Sequence, residues 1–357
     1  MSIKAHIRVD HGAFQLDAAL DLPSQGVTAV FGPSGSGKTT LLRALAGLDR
    51  HPDSQVTVQD CVWQNKTDWL APHERPIGLV FQEPSLFEHL TVQENLDYGR
   101  QRIPEEARKV PLERPIDLLA IGPLLNRYPQ QLSLGEQQRA ALARALAVCP
   151  DWLMMDEPLA ALDAARKREI LPYLETLCRE TDLPILYVSH SREEIARLAD
   201  HLVLLDAGRV TAAGPIAELF SQMDLALTHA PDSAALVTTT VAGHDKIFDL
   251  TLLDFAGGQF QVAHHAMPMG TEVRLQVQAS DVSLTLDRPK QTSILNIFPA
   301  QVTELTDAGP SHTLVKLTVA GTATSLLARI TRKSADQLGL EPGHSIYAQV
   351  KSAALLR

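Results

Sequence analysis

Cysteine and long apolar runs are scarce in this sequence, and each scarcity excludes a class of protein. The three cysteines, Cys61, Cys149 and Cys178, are widely spaced and form no C-x-x-C pair, which excludes a cysteine-based metal motif. We expect three reduced thiols, as in a protein of the cytosol, where disulfides are rare. No window approaches the roughly 18 consecutive apolar residues that a membrane helix needs. A role at a membrane would therefore require docking onto the helices of another protein.

Positive charge is also in short supply. The chain has 357 residues with 32 Lys and Arg against 42 Asp and Glu, which gives a net charge of −10. Domains that bind nucleic acid usually carry a basic face or stripe, so this balance argues against a nucleic-acid partner. Residues 1–12 lack the apolar run of a secretory signal. Their alternation of apolar and polar residues predicts a first β-strand instead.

An α/β pattern is present over the first 220 or so residues. Apolar runs typical of strands buried on both faces of a parallel sheet occur at 27–32, 151–157 and 183–190. Residues 39–48 and 165–180 have helical character, and we expect Pro172 to kink the second helix or to lie near its start. The alternation of strands and helices predicts an α/β domain.

The pattern changes at about residue 235. From there, short alternating segments are separated by Gly, Pro and Asp turns, which is typical of small all-β barrels. We predict an α/β domain over 1–228, a linker over 228–235 and a β-rich region over 235–357. Segments 273–280 and 346–353 share a pattern that indicates an internal repeat.

A phosphate-binding motif follows the first of the apolar runs. Residues 32–39, GPSGSGKT, fit G-x-x-x-x-G-K-[ST] between a strand and a helix, the context that the motif requires. Its glycines let successive N–H groups face phosphate oxygens, Lys38 can reach the β- and γ-phosphates, and Thr39 can bind Mg²⁺. The ligands predicted here are ATP and Mg²⁺. The predicted ATP-binding residues of this segment are Gly32, Pro33, Ser34, Gly35, Ser36, Gly37, Lys38, Thr39 and Thr40.

An acidic pair follows the second apolar run. Asp156 would face the Mg²⁺ side of the site, and Glu157 would polarise the attacking water. Such a pair is often only the solvated end of a strand. With Lys38 upstream, we favour the catalytic interpretation.

Residues 132–146, LSLGEQQRAALARAL, resemble the signature of the ABC ATPases, L-S-G-G-Q/E followed by a Q-x-R helix. The resemblance implies that Ser133 and Gly135 contact the γ-phosphate of an ATP held by the opposite subunit of a head-to-tail homodimer. The same residues also fit a capped helix, with Ser133 as N-cap and Glu136 three residues later. The two interpretations are compatible.

Further motifs resemble ABC elements in the family's order. Gln82 resembles the Q-loop glutamine that senses Mg²⁺ and water, and His190 resembles the switch histidine that bonds the γ-phosphate. Residues 159–163, LAALD, resemble the D-loop and end in Asp163. The catalytic residues implied are Glu157, His190, Lys38 and Gln82, and the Mg²⁺ ligands implied are Thr39, Gln82 and Asp156. The family fold is a P-loop α/β domain with a helical subdomain.

The sequence departs from the family pattern at several positions. Leu134 stands where the signature usually has glycine, and we expect reduced hydrolysis, because a leucine adds bulk and disfavours a positive φ. Ala160 and Ala161 replace a D-loop serine. Phe14 is the candidate for stacking on adenine, and the alternative is an ordinary core phenylalanine.

Four runs resemble the ATP-binding subunits of molybdate importers: 168–180, 185–200, 277–286 and 291–302. Residues 291–355 resemble the small, OB-like molybdate-binding barrel appended to such subunits, which implies an oxyanion site at a subunit interface. The matching positions are Thr292, Ser293, Asn296, Ser334 and Lys351. Ile294 and Leu295 replace the usual Ala-Arg, so a barrel serving only dimerisation or regulation remains the alternative.

The resemblance implies a set of partners and a location. The partners are two integral-membrane permease subunits and, indirectly, a periplasmic or extracellular molybdate-binding protein, which places the chain at the cytoplasmic face of the cell membrane. Leu86, Phe87 and Leu90 would receive a coupling helix, unless they only fill the chain's own helical subdomain. The alternatives are an importer of tungstate, sulfate or thiosulfate, polyamine or sugar, a soluble ABC ATPase of DNA repair or translation, and a passive molybdate store.

Overall fold

The computed structural model describes residues 2–10, 12, 14–223 and 233–356. The chain divides into two compact units, residues 1–214 and 215–357. The predicted linker over 228–235 lies largely outside the described residues, although Ala234 and Ala235 already belong to a strand. In the described part of the chain, no helix is long and apolar enough to cross a membrane.

The first unit contains one ten-stranded sheet and six helices within its described residues. The strands are β1 (Ile3–Asp10), β2 (Gln15–Leu22), β3 (Val27–Phe31), β4 (Gln55–Val58), β5 (Cys61–Gln64), β6 (Ile77–Val80), β7 (Trp152–Asp156), β8 (Ile185–Ser189), β9 (His201–Asp206) and β10 (Arg209–Pro215). The helices are α1 (Lys38–Ala46), α2 (Val92–Arg100), α3 (Glu113–Leu118), α4 (Leu134–Ala147), α5 (Ala164–Glu180) and α6 (Arg192–Leu198).

The sheet has the order β5-β4-β1-β2-β10-β9-β3-β8-β7-β6. Strands β6, β7, β8, β3 and β9 are neighbours that run parallel to one another. Every residue of β7 and β8 is buried, which confirms the strands expected from their continuous apolar runs. Helix α1 packs against this sheet through Leu41, Leu42 and Leu45, which are fully buried.

Helix α5 contains Pro172, which the sequence predicted either to kink this helix or to lie near its start. Pro172 lies inside the helix rather than near its start. Its side chain is exposed, so the ring meets solvent instead of the core. The Thr176 hydroxyl donates to the Pro172 carbonyl at 2.8 Å and satisfies one acceptor within the helix.

The second unit is built mainly from β-strands. These are β11 (Ala234–Asp245), β12 (Leu250–Phe255), β13 (Gly258–Ala263), β14 (Glu272–Gln278), β15 (Val282–Thr285), β16 (Asn296–Asp307), β17 (His312–Val319), β18 (Ser325–Thr331), β19 (Ser345–Val350) and β20 (Ala354–Leu356). Two short helices, α7 (Ile216–Leu219) and α8 (Arg332–Gln337), accompany them. The second unit begins at Pro215 and therefore includes α7. The sequence had predicted that the α/β domain extends to residue 228.

The strands of the second unit form two five-stranded sheets that share one core. Their orders are β13-β12-β11-β14-β20 and β15-β19-β16-β17-β18. The rings of Phe255, Phe260 and Phe298 join the sheets, with 4.6 Å between the centroids of Phe260 and Phe298. The two similar sequence segments form β14 and β19, one in each sheet. The all-β prediction for this region is confirmed.

Candidate nucleotide site

Four neighbouring parallel strands bring the predicted ATP motifs to one edge of the sheet. Residues near the carboxyl ends of these strands are paired in register, Val80 with Met155, Asp156 with Val188, and Phe31 with Ser189. The segments that follow β3, β6, β7 and β8 therefore start side by side. Ligands of open α/β sheets bind in the crevice outside these ends.

The loop between β3 and α1 has the backbone that a phosphate cradle needs. Gly35 and Gly37 have φ of 79° and 102°, values that only glycine adopts without strain. A Cβ on Gly32 would collide with the carbonyl oxygen of Leu205. Pro33 and Ser34 complete the turn, and α1 begins at Lys38, so the free N–H groups of its first turn face the loop.

Lys38 is buried inside this loop. Its Nζ donates to the carbonyls of Gly32 at 3.0 Å and Pro33 at 2.9 Å, and an ammonium has a third donor for a phosphate oxygen. The Ser36 hydroxyl is also buried and has no hydrogen-bond partner among the described residues. An orphaned buried hydroxyl in a glycine-rich cradle fits a site that a phosphate group completes.

Thr39 and Asp156 form the part of the site that suits Mg²⁺. The Thr39 hydroxyl donates to Oδ1 of Asp156 at 3.1 Å, while Thr40 lies one residue further along α1. Burial raises the pKa of Asp156, and the hydrogen bond from Thr39 acts in the opposite direction. A hydroxyl and a carboxylate are hard oxygen ligands, and Mg²⁺ is usually held by one or two such groups together with substrate phosphates. The two side chains therefore fit this ion.

Glu157 lies between Lys38 and His190. Its Oε2 is 3.0 Å from His190 Nδ1, and its Oε1 is 3.8 Å from Lys38 Nζ. The φ of Glu157 is 45°, which is uncommon for a residue with a side chain. The Glu157 N–H donates to the Val188 carbonyl at 2.9 Å and holds this backbone in place. The structure thus gathers a carboxylate, an ammonium and an imidazole around one point.

Gln82 is near this edge but does not contact the acidic pair. It follows β6 by two residues and is exposed, and the structure gives its side chain no hydrogen bond within the described residues.

The segment that follows Gln82 is held by a residue that the sequence did not point to. Arg144 of α4 donates to the carbonyl of Ser85 at 2.9 Å, and its guanidinium lies 5.4 Å from the centre of the Phe87 ring. The only hint in the sequence was that Arg144 is a charged residue within a helical run rich in Ala and Leu.

The signature residues lie at the start of α4. The Ser133 hydroxyl accepts from the Glu136 N–H at 3.3 Å, and the Glu136 carboxylate accepts from the Ser133 N–H at 2.8 Å. These bonds lower the pKa of Glu136 and confirm the predicted capping box. Leu134 is the first residue of α4, where the backbone is helical. The backbone penalty expected at Leu134 is therefore wrong, because no positive φ is required there.

Gly135 and Asp163 border α5. A Cβ on Gly135 would lie 3.4 Å from Cδ1 of Ile170, so α4 and α5 approach closely here. Asp163 caps α5 by accepting from the Arg166 N–H at 2.9 Å. A cleft of about 500 Å³ lies between the two helices and is lined by Ser133, Gly135 and Arg166, among others. Within the described residues, no hydrogen bond or ion pair joins Ser133, Gly135 or Asp163 to the phosphate loop.

Phe14 lies against the phosphate loop. A Cβ on Gly37 would come within 2.7 Å of Cζ of Phe14. The ring is half-buried and also packs against the core of the first unit. This position suits both interpretations of Phe14, an adenine platform and a core residue.

The five oxyanion candidates of the second unit do not meet in one chain. Asn296 begins β16 and pairs with Val350, which places it near Lys351. Ser334 lies shortly after β18. The last residue of β18 pairs with the first residue of β17, which places Ser334 at the opposite end of that sheet from Asn296. Thr292, Ser293 and Lys351 are exposed, and the Thr292 hydroxyl accepts from the Ile294 N–H at 3.2 Å.

Asn296 has a structural partner that sequence reasoning did not foresee. Its amide accepts from the Gln261 N–H at 2.7 Å and donates to the Gln261 carbonyl at 3.0 Å. The side chain is buried, and the two bonds join β16 of one sheet to β13 of the other. This pairing uses the amide oxygen and one of the two N–H donors of Asn296.

Two known protein families match segments of this chain. Residues 16–160 match the ABC transporter family, and residues 292–356 match the TOBE domain. The molybdenum import ATP-binding protein ModC of Aromatoleum aromaticum is 53% identical over 358 residues, covering 100% of this chain and 94% of that protein. ModC 1 of Azotobacter vinelandii is 50% identical and covers 99% of this chain and 98% of that protein.

A solved structure shares the fold. The cbiO1 protein of Clostridium perfringens, described as part of the ABC transporter complex cbiONQ, has a TM-score of 0.54 at 23% identity and covers 62% of this chain and 91% of that one. The likeness to the ModC proteins extends over the whole length, through both units, at about half identity. The chain therefore belongs to the family of molybdenum import ATP-binding proteins, with an ABC transporter ATPase domain followed by a TOBE domain.

Proposed function

We propose that this chain hydrolyses ATP to drive the import of molybdate through a membrane transporter. One observation carries the hydrolytic part: Glu157 lies within 3.0 Å of His190 and 3.8 Å of Lys38, beside the phosphate loop. The cargo is supported by the full-length similarity to molybdenum import ATP-binding proteins.

The roles of the residues follow from their positions. The first-turn N–H groups of α1 and the Lys38 ammonium would hold the β- and γ-phosphates. Glu157 would orient the attacking water and accept its proton, and His190, which is hydrogen-bonded to Glu157, would bond the γ-phosphate. Thr39 and Asp156, joined by Gln82, would hold Mg²⁺, which neutralises phosphate charge when bound.

The chain acts as a head-to-tail homodimer in this proposal. Ser133 and Gly135 lie at the N-terminus of α4, where free N–H groups favour an anion. Because no hydrogen bond or ion pair joins these residues or Asp163 to the phosphate loop within the described residues, they would act on the ATP of the partner subunit. Two ATP molecules would then be held between two chains.

Replacing the proposed base tests hydrolysis and dimerisation together. Glu157→Gln keeps the size of the side chain but cannot accept a proton, so we expect turnover to fall by at least about 100-fold while ATP binding persists. The variant should accumulate as a dimer in ATP, measured by analytical ultracentrifugation, and the wild type should not. Hydrolysis at the wild-type rate, or an ATP-bound monomer at all concentrations, would contradict the proposal.

The membrane partners are two permease subunits that dock near the segment after Gln82. Asn95 is fully buried and holds this segment, since it accepts from the Phe87 N–H at 2.8 Å and donates to the Leu90 carbonyl at 3.1 Å. The Phe87 ring lies 4.4 Å from that of Tyr98, so it is supported from one side. Leu86, Phe87 and Leu90 are half-buried and would receive a coupling helix.

In this arrangement the chain works at the cytoplasmic face of the cell membrane, and a periplasmic or extracellular molybdate-binding protein delivers the cargo to the permease.

The second unit would bind molybdate between two copies of the chain and slow transport when the cell contains enough molybdate. Thr292, Ser293, Ser334 and Lys351 supply hydroxyl and ammonium donors for an oxyanion. Tungstate, a tetrahedral oxyanion like molybdate, is the main alternative cargo.

A further inference from the structure

A buried carboxylate lies directly behind the segment that carries His190. Glu194 of α6 is 3% exposed, and it accepts hydrogen bonds from three side chains. Its Oε2 accepts from the Tyr187 hydroxyl at 2.9 Å and from the Ser189 hydroxyl at 2.7 Å. Its Oε1 accepts from Lys167 Nζ at 2.8 Å. A buried charge is tolerated when it is paired and hydrogen-bonded in this way.

This carboxylate fixes the backbone on both sides of His190. The Ser189 hydroxyl that donates to Glu194 also accepts from the Ser191 N–H at 3.0 Å. The His190 side chain itself is 56% exposed, so packing does little to hold it. Its position next to Glu157 depends mainly on the backbone of 189–191, which Glu194 secures through Ser189.

The same carboxylate reaches the D-loop helix. Lys167 belongs to the first turns of α5, and its N–H donates to the Asp163 carbonyl at 2.9 Å. Asp163 is the N-cap of this helix and one of the residues proposed to act on the partner's ATP. Glu194 therefore joins the segment of His190 to the start of α5 through a single side chain.

We propose that Glu194 is a positioning residue for ATP hydrolysis: with Lys167 and Ser189, it holds His190 in register with Glu157 and with the D-loop helix. This inference rests on the proposed function. Burial and the nearby carboxylate raise the pKa of Tyr187 well above its usual range, so its hydroxyl remains a donor to Glu194. Because reacting groups must be placed to within about 1 Å for efficient turnover, loosening this junction reduces the catalytic rate more than the affinity for ATP.

The chain offers a matched control on the same two helices. Glu175 of α5 is buried, and its Oε1 lies 2.7 Å from Nε of Arg197 of α6. This ion pair joins the helices as the Lys167–Glu194 pair does. In the part of the chain that the structure describes, no hydrogen bond or ion pair joins Glu175 or Arg197 to Tyr187 or to residues 189–191. Replacing either member removes a buried ion pair without touching the segment of His190.

The experiment compares two matched sets of full-length variants. The first set contains Glu194→Gln, Lys167→Met, Lys167→Arg and Ser189→Ala, and the control set contains Glu175→Gln and Arg197→Met. For each variant, kcat and KM for ATP and the Tm are measured, with wild type and Glu157→Gln as references. Ser189→Ala leaves the Lys167–Glu194 ion pair intact and removes the two hydrogen bonds of the Ser189 hydroxyl, the one donated to Glu194 and the one accepted from the Ser191 N–H.

We expect Glu194→Gln and Lys167→Met to lower kcat by about tenfold and to change KM by less than about twofold. Lys167→Arg restores kcat to within about threefold of wild type, because the guanidinium still pairs with the carboxylate. Ser189→Ala lowers kcat about threefold or more with little change in Tm. The control variants lose thermal stability but keep kcat within about twofold of wild type.

Equal kcat losses in the two sets would overturn the inference, because they would show a general effect of lost helix pairing. If Glu194→Gln does not fold, a wild-type kcat in Ser189→Ala, or no difference between Lys167→Met and Lys167→Arg, overturns it as well. A wild-type chain no more active than Glu157→Gln would overturn the proposed function, whereas an active wild type with the losses in the wrong set overturns only the role of Glu194.

Discussion

At the sheet edge where the ATP motifs meet, one residue has a backbone conformation that the rest of the fold has to support. Glu157 has a φ of 45°, a region that is unfavourable by about 1 kcal/mol or more for residues with a side chain. The bond from its N–H to the Val188 carbonyl secures that backbone. The result is a carboxylate aimed between Lys38 and His190, where the proposed base is needed.

Leu134 changes the signature through its side chain and not through its backbone. It occupies the first position of α4 and is half-buried, so a glycine there gains no conformational advantage. The added bulk stands beside Ser133 and Gly135, on the surface proposed to meet the partner's ATP. The N–H groups of this helix start remain available in either case.

We predict that Leu134→Gly raises the ATP turnover of the assembled transporter by about two- to fivefold, a change of less than 1.4 kcal/mol in the barrier. The measurement is kcat at saturating MgATP. Arg332→Gly, at the first position of α8, controls for the stability lost when glycine enters a helix. An unchanged or lower turnover in Leu134→Gly would show that the leucine does not hinder trans contact.

Residue types in the sequence predicted much of this site, because a phosphate loop, an acidic pair and a histidine each follow a buried strand. Arg144 and Glu194 escaped prediction because their roles depend on residues far along the chain, the loop at 84–85 for Arg144 and Lys167 for Glu194. Nothing in the local spacing of either residue indicates those partners. Only the packed fold brings them together.

At the scale of elements, the two sheets of the second unit are held together at β13 and β16. Asn296 bridges them with two hydrogen bonds to the backbone of Gln261, and the rings of Phe260 and Phe298 pack nearby. The sequence predicted the alternating strands here from their period of two residues. It did not predict that a polar residue at the start of β16 faces inward.

We predict that Asn296→Ala destabilises the second unit by about 1–3 kcal/mol, because the backbone groups of Gln261 lose their two hydrogen-bond partners at a part-buried position. Lys351→Ala, at an exposed position nearby, should leave the Tm unchanged within about 1 °C and weaken any molybdate binding. Scanning calorimetry with and without molybdate measures both. An unchanged Tm in Asn296→Ala, together with lost molybdate binding, would instead favour Asn296 as an oxyanion ligand.

At the scale of the whole molecule, the sequence indicated an α/β part followed by a β-rich part because the period of its apolar residues changes near residue 235. The boundary is less evident in the pattern: Pro215–Leu219 belongs to the second unit, although its helical residues resemble the preceding part. The order of the ten strands was beyond prediction, since β10 joins β2 by contacts between distant parts of the chain.

The central claim for the whole molecule is that ATP hydrolysis at the β3–β6–β7–β8 edge drives molybdate across a membrane. Similarity to molybdenum import proteins spans both units of the chain. One assay measures both the direction of transport and the choice of anion, and Glu157→Gln is its matched control for hydrolysis.

The most direct test measures the accumulation of anions by vesicles that contain the reconstituted transporter. The chain and its co-purified permease subunits are supplied with ATP and with the binding protein loaded with molybdate, tungstate or sulfate. We predict ATP-dependent accumulation of molybdate, none with Glu157→Gln and none of sulfate. Accumulation of sulfate in preference to molybdate, or equal molybdate accumulation by wild type and Glu157→Gln, would contradict the account.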